Sequence, residues 1–296
     1  MSASDFPEST ATLLVSCDDC PGLVAALAQA LYNQGANILH AEQHTDSVAG
    51  KFFQRIRFDD PELAGDDREA AASRLRATVR TVGARYGMKW QLHFEKEPRR
   101  MAIFVSKTDH CLYDLLLRHR SGELHCDIPL IVSNHESLRP VADQFEIPFH
   151  VFTVDPKSKA DVEAREIQLL EEQEIDLIVM ARYMQILSED FIGHFEERII
   201  NIHHSFLPAF AGGRPYHQAF ERGVKLIGAT AHYATGDLDE GPIIEQDVIH
   251  VSHRESVTDL VRLGRDVERT VLSRAVRLHL ESRIFVHDNR TVVFAG

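Results

Sequence analysis

Apolar positions recur at two different rhythms along the 296 residues. In the first stretch Ala11–Cys17 is a β-branched, apolar strand. Pro21 then stands where a helix begins, and Leu23, Leu27, Ala30 and Leu31 share one helical face before Gly35 stops the turn. Ala36–Gln43 and Lys51–Phe58 read as strands, the second with Phe52, Ile56 and Phe58 on one side. A long helix over 67–86 and a strand over 88–94 complete the order strand, helix, strand, strand, helix, strand. That order predicts the split βαβ plait of the ferredoxin-like type. His93-Phe-Glu-Lys-Glu-Pro-Arg-Arg100 is polar, contains Pro98, and reads as a linker. Two domains are therefore expected, over 8–95 and 101–290.

The second stretch alternates. Short apolar strands over 101–106, 127–133, 148–153, 176–180 and 198–202 are separated by helical patterns over 111–119, 138–145 and 161–173, and Asp109 is an N-cap candidate for the first of these. Strand–helix alternation implies right-handed crossovers and a Rossmann-like open, mostly parallel sheet, an α/β class. Ligands of such sheets sit beyond the carboxyl ends of the strands. Two later strands, 225–235 and 242–251, flank a turn that carries Asp239, and an amphipathic helix over 255–280 closes the domain.

Composition narrows the partners. With 45 acids against 32 bases the net charge is −13. Such a surface repels nucleic acid and anionic membrane, so neither is an expected partner. The first ten residues have no basic and apolar leader pattern, and no stretch approaches a membrane span. Four cysteines in so long a chain suggest free thiols and a cytoplasmic protein. Cys17-Asp-Asp-Cys20 has C-x-x-C spacing, but a lone pair favours a strand end and a turn over a zinc or redox site.

Candidate chemistry gathers at Asn201-Ile-His-His-Ser-Phe-Leu-Pro208 and at Asp239 in Gly236-Asp-Leu-Asp-Glu-Gly-Pro242. An amide and an imidazole stabilise an oxyanion, and a carboxylate fixes the imidazole and moves protons. This is equipment for attack on a formyl or acyl carbonyl by water or an amine. Taken alone, Asp239 is better read as a turn residue, and Asn201 is equally a strand-end cap or a catalytic amide. His203, His204, His217 and His232 raise zinc, yet adjacent strand residues face opposite ways, so no metal is expected.

Three segments carry a resemblance. Asn201–Pro208 is similar to the N-x-H-x-S-x-L-P signature of folate-dependent formyltransferase domains. Thr230–Ile244 resembles their second signature, and Ala181-Arg-Tyr-Met-Gln-Ile-Leu-Ser188 their pterin-holding loop. Cys17-Asp-Asp-Cys-Pro-Gly-Leu-Val24 and Gly35-Ala-Asn-Ile-Leu39 resemble ACT domains. The whole pattern is similar to the formyltetrahydrofolate deformylase family. One feature of it is Val105-Ser-Lys-Thr-Asp-His-Cys-Leu-Tyr-Asp-Leu-Leu116, which lacks the glycine-rich phosphate loop of glycinamide ribonucleotide formyltransferases.

The resemblance implies hydrolysis of 10-formyltetrahydrofolate to tetrahydrofolate and formate, serving one-carbon balance and purine synthesis. It implies Asn201, His203 and Asp239 as the catalytic trio. Met184, Ile186, Leu187, Ala234, Thr235, Gly236 and Asp237 would line the folate pocket. It implies no cofactor, an amino-acid effector at the ACT-like half, and a homo-oligomer, dimer or tetramer. Gln185 departs from the arginine that transferase relatives often place near the folate tail, and Arg182 is a candidate to compensate only by its nearness in sequence. Two other classes stay open: formyl transfer to an amine, and a non-enzymatic folate and amino-acid sensor.

Overall fold

The computed structural model describes residues 7–153, 158–209 and 215–295. The reading of residues 1–10 as having no leader falls partly on residues 1–6, outside those described. The chain divides into two compact units. The first comprises 1–98 with 281–285 and 292–296, and the second 99–280 with 286–291.

In the first unit the order is β1 (Thr10–Asp18), α1 (Leu23–Tyr32), β2 (Asn37–Asp46), β3 (Lys51–Asp59), α2 (Arg68–Tyr86) and β4 (Lys89–Phe94). The four strands form an antiparallel sheet in the order β2-β3-β1-β4. Leu13, Val15 and Cys17 on β1 face Leu23, Leu27 and Leu31 of α1 and Leu75 and Val79 of α2 in one core. Pro21 precedes α1 and lies outside its first turn. The actual N-cap is Gly22, which holds a left-handed conformation (φ 94°). Cys17 is buried, Cys20 is exposed and both are free thiols.

The opposite face of β1 and β3 is also covered, which the alternation did not reveal. Leu14 and Phe53 pack on Phe285, Val292 and Phe294. These come from two short paired strands, β12 (Ile284–His287) and β13 (Arg290–Val293), which had no element assigned from sequence. Arg55 is buried on this face, and its guanidinium donates to the carbonyls of Ser282 at 2.9 Å and Glu281 at 3.1 Å, with Glu42 at 3.2 Å as counter-ion. A buried charge is tolerable only when paired and hydrogen-bonded in this way.

The second unit is built on a seven-stranded sheet in the order β11-β10-β9-β8-β5-β6-β7. Its strands are β5 (Arg99–Val105), β6 (Cys126–Ser133), β7 (Phe149–Val151), β8 (Leu177–Met180), β9 (Ile199–His203), β10 (Leu226–Tyr233) and β11 (Ile243–His250). β9-β8-β5-β6-β7 run parallel, and β10 and β11 are antiparallel additions. Leu-Ile-Val-Met of β8 is buried throughout, as a parallel strand covered on both faces must be. The helices are α3 (His110–Arg120), α4 (Arg139–Gln144), α5 (Lys159–Glu172), α6 (Glu189–His194), α7 (Pro215–Arg222) and α8 (Val257–Leu280). α6 and α7 are six and eight residues long, too short for periodicity to expose. Asp109 does occupy the N-cap of α3, but its side chain makes no capping hydrogen bond. Among the described residues no helix is long and apolar enough to cross a membrane.

Phe104 on β5 is fully buried, edge-on to Tyr183 at 5.2 Å and to Phe191 at 6.1 Å. Phe104→Ala leaves a cavity at the centre of this sheet. It is expected to cost ~3–5 kcal/mol, read as a lower urea midpoint for the transition of the second unit.

Candidate active site

The topological switch of the large sheet lies between β5 and β8, because the chain proceeds outward through β6 and β7 and then returns to the other side of β5. The carboxyl ends of β8 and β9 therefore open onto the expected ligand crevice. Parallel register sets Asn201 beside Met180. Antiparallel register sets Asn201 opposite His232 and His203 opposite Thr230. A bulge between Ala231 and His232 re-aims the end of β10.

After β10 the chain turns back through the segment bearing Asp239. The Tyr233 amide donates to the Pro242 carbonyl at 3.0 Å, closing the turn. Gly241 is required here, since a Cβ would overlap the carbonyl oxygen of Tyr233. Asp239 itself holds φ 59°, a left-handed conformation that aspartate tolerates better than most residues. The result is a carboxylate returned to the strand ends: Asp239 Oδ1 is 3.1 Å from His203 Nδ1 and 3.9 Å from His232 Nε2.

The hydrogen-bond roles follow from one fixed acceptor. His232 Nδ1 lies 2.9 Å from the Tyr233 carbonyl, which can only accept, so Nδ1 carries the proton. Nε2 of the neutral ring is then an acceptor, and it takes the Asn201 Nδ2–H at 3.2 Å. Burial holds the His232 ring below the usual imidazole pKa, which keeps it in this neutral form. His232 thereby fixes which way the Asn201 amide points. Sequence reading weighed His232 only as a metal ligand and missed this role. Its place within the second signature, on the strand facing Asn201, was the available signal.

His203 presents Nδ1 to Asp239, while its buried Nε2 has no hydrogen-bond partner. Burial pushes the Asp239 carboxyl upward. The hydrogen bond and charge of His203, with His232 and His204 behind it, outweigh this and leave it below the ordinary aspartate range. His204 is held down to about 3, first by burial and then by the Arg182 guanidinium, so it is neutral in the working range.

Asn201, His203 and Asp239 line a cavity of about 240 Å³. Met184, Ile186, Leu187, Ala234, Thr235, Gly236 and Asp237 line the same cavity. Met184 and Ile186 are exposed and Leu187 is buried. The 181–188 loop is pinned twice: the Met184 amide donates to Ser106 Oγ at 2.9 Å, and the Ser188 amide to Glu163 Oε1 at 3.0 Å. Arg182 also lines this cavity, and its Nε is 3.5 Å from the buried Glu268 carboxylate.

The depressed Asp239 carboxyl has a consequence for stability. A group more acidic folded than unfolded contributes fully above its unfolded value and loses that contribution as pH falls through the folded one. The stability gap between the protein and Asp239→Asn is expected to hold steady from about pH 7 to 5 and to narrow below about pH 4. Urea midpoints across that range test it. A gap that does not change with pH would mean that Asp239 is not held as a stabilised carboxylate.

Comparison with known proteins agrees with this architecture. Residues 99–276 match the Formyl transferase family and residues 11–80 the ACT domain family. A formyltetrahydrofolate deformylase of Synechocystis sp. is 56% identical, over 97% of this chain and 99% of its own. The crystal structure of a formyltetrahydrofolate deformylase from Pseudomonas syringae pv. tomato has a TM-score of 0.91 at 44% identity, covering 97% of this chain and 94% of that one. Glycinamide ribonucleotide transformylase 1 from Symbiobacterium toebii is similar over 69% of this chain and 98% of its own, with a TM-score of 0.64 and 28% identity. Matching along nearly its full length, with an ACT domain followed by a formyl transferase domain, the chain belongs to the formyltetrahydrofolate deformylase family.

Proposed function

We propose that this chain hydrolyses 10-formyltetrahydrofolate to tetrahydrofolate and formate. The observation that carries the reading is the unpartnered, buried Nε2 of His203, beside Asn201 and Asp239, at a cavity lined by the 181–188 and 234–239 segments. The pterin and its N10-formyl group occupy that cavity, with Met184, Ile186, Leu187, Ala234, Thr235, Gly236 and Asp237 as its walls. A water ordered by Asp239 attacks the formyl carbon and gives its proton to the carboxylate. Charge builds on the formyl oxygen, which takes a hydrogen bond from the second Asn201 amide N–H. When the imidazole carries its second proton, His203 Nε2–H donates to the same oxygen. The C–N10 bond breaks as Asp239 passes the proton to N10. The hydrogen bond to His203 holds Asp239 as the carboxylate that can take the water proton. No step calls for a metal or a cofactor.

On this reading the 8–95 region is a regulatory and pairing module that takes a small amino-acid effector, and the 101–290 region is catalytic. The chain works as a cytoplasmic homo-oligomer that returns folate to the free pool and supplies formate for purine synthesis. Transfer to an amine is the competing reaction, favoured by the likeness to the transformylase from Symbiobacterium toebii, and it needs an acceptor that water replaces here.

Formate and tetrahydrofolate are expected in equal amounts from purified protein and 10-formyltetrahydrofolate with no amine present. Asn201→Ala, His203→Ala and Asp239→Ala are each expected to fold and to lose ~100–1000-fold in kcat. Tetrahydrofolate formed only when an amine is added, with the formyl group recovered on that amine and no formate released, would replace hydrolysis with transfer.

A further inference from the structure

Behind the trio lies a second cluster of polar groups that the reaction as written does not use. Glu268, in the middle of α8, is 1% exposed. Its carboxylate accepts from the Tyr216 hydroxyl at 2.6 Å and meets His110 Nε2 at 2.8 Å and Arg182 Nε at 3.5 Å. Four segments thus converge: the start of α3 after β5, the loop after β8, α7 and α8. They meet at the switch between β5 and β8, where an open sheet of this kind keeps its crevice. Burial pushes the Glu268 carboxyl upward, and His110, Arg182 and Tyr216 overcome this, so it stays ionised.

Two features show that the cluster is built for Glu268 and not merely filled. Gly264 lies four residues before Glu268 inside α8, where glycine costs about 1 kcal/mol relative to alanine. A Cβ there would overlap the Tyr216 hydroxyl, so the glycine is what lets Tyr216 reach the carboxylate. The contacts then continue toward the trio: the Tyr216 ring is edge-on to His204 at 6.0 Å, and His204 is edge-on to His203 at 5.2 Å. His110, Cys111 and Glu268 also have the spacing of a metal site. The chemistry speaks against one, because Glu268 already meets Tyr216 and His110, the Arg182 cation stands beside it, and burial with the Glu268 charge keeps Cys111 a thiol.

We propose that Glu268 is a positioning residue for the hydrolysis, acting through Tyr216 and Arg182 to hold His204, and through it the His203 ring, in place beneath the formyl group. The inference rests on the proposed deformylase reading. Glu268 neutralises Arg182, which otherwise stands as an unpaired cation beside His204. The groups facing Glu268 are His110, Cys111, Arg182, Tyr216 and His204. Those facing His203 are Asp239, His232 and His204. Removing the Glu268 charge leaves Arg182, and His110 when it is protonated, without a counter-charge, and a nearby cation disfavours a protonated imidazole.

The test compares wild type with Glu268→Gln, Tyr216→Phe and Gly264→Ala, measuring formate release across pH. Expected for Glu268→Gln is a fall in kcat of about tenfold or more, of the order that follows small misplacement of reacting groups. KM for 10-formyltetrahydrofolate should change less than about threefold, as for a group that leaves ground-state binding alone. The imidazole limb of the kcat profile should move to lower pH, which a purely structural residue would not cause. Tyr216→Phe and Gly264→Ala should lower kcat without that move. If Glu268→Gln does not fold, Tyr216→Phe, which keeps the ring and the charge, still has to lower kcat at unchanged KM. Wild-type kcat in the folded variants overturns the role while leaving the hydrolysis standing. No formate from wild type overturns both.

Discussion

The pairing of β9 with β10 is the constraint on which the site depends. Antiparallel register brings Asn201 opposite His232 and His203 opposite Thr230, so two signatures thirty residues apart become one surface. The Tyr233 carbonyl then sets the protonation of His232, and His232 sets the Asn201 amide. Thr230 does similar work two pairs away: its hydroxyl donates to the Ser205 carbonyl at 2.8 Å and accepts the Leu207 amide at 3.0 Å, fixing the chain just after His203. A slip of one residue would turn each of these side chains to the other face of the sheet. Register here fixes the geometry of the site as much as stability.

Much of this was legible in the sequence, for physical reasons. Buried parallel strands such as Leu177–Met180 read as continuous apolar runs, and α1 and α8 show their inner faces as helical periods. The residues of the site lie in two compact signatures and one loop, so the cavity that gathers Asn201, His203, Asp239 and the seven wall residues could be named in advance. What stayed hidden depends on partners distant in sequence. Arg55 is a polar residue in a strand until the carbonyls of Glu281 and Ser282 arrive to satisfy it. Glu268 lies within the amphipathic period of α8 and resembles a solvated acid, yet it is buried because His110, Arg182 and Tyr216 come from three other segments. Pro21 and Asp109 show the limits of local rules: each stands at a helix start, and neither performs the capping duty that its type suggests.

The buried charges share one logic. Removing a carboxylate or a guanidinium from water costs several kcal/mol, which pairing and hydrogen bonds must offset. Arg55 and Glu268 both meet that condition with several partners each. Apolar residues of similar volume would often serve stability as well.

The strands that follow α8 give the first unit a discontinuous sequence. Its sheet is made from the beginning of the chain, but Leu14 and Phe53 are covered by Phe285, Val292 and Phe294 from the far end. Topologically the formyl transferase unit is an insertion within the ACT-like unit. A ribosome therefore delivers the whole formyl transferase unit before the first-made sheet can bury its second face. That face stays exposed through most of synthesis, and excising residues 1–98 as a free-standing module would leave it bare.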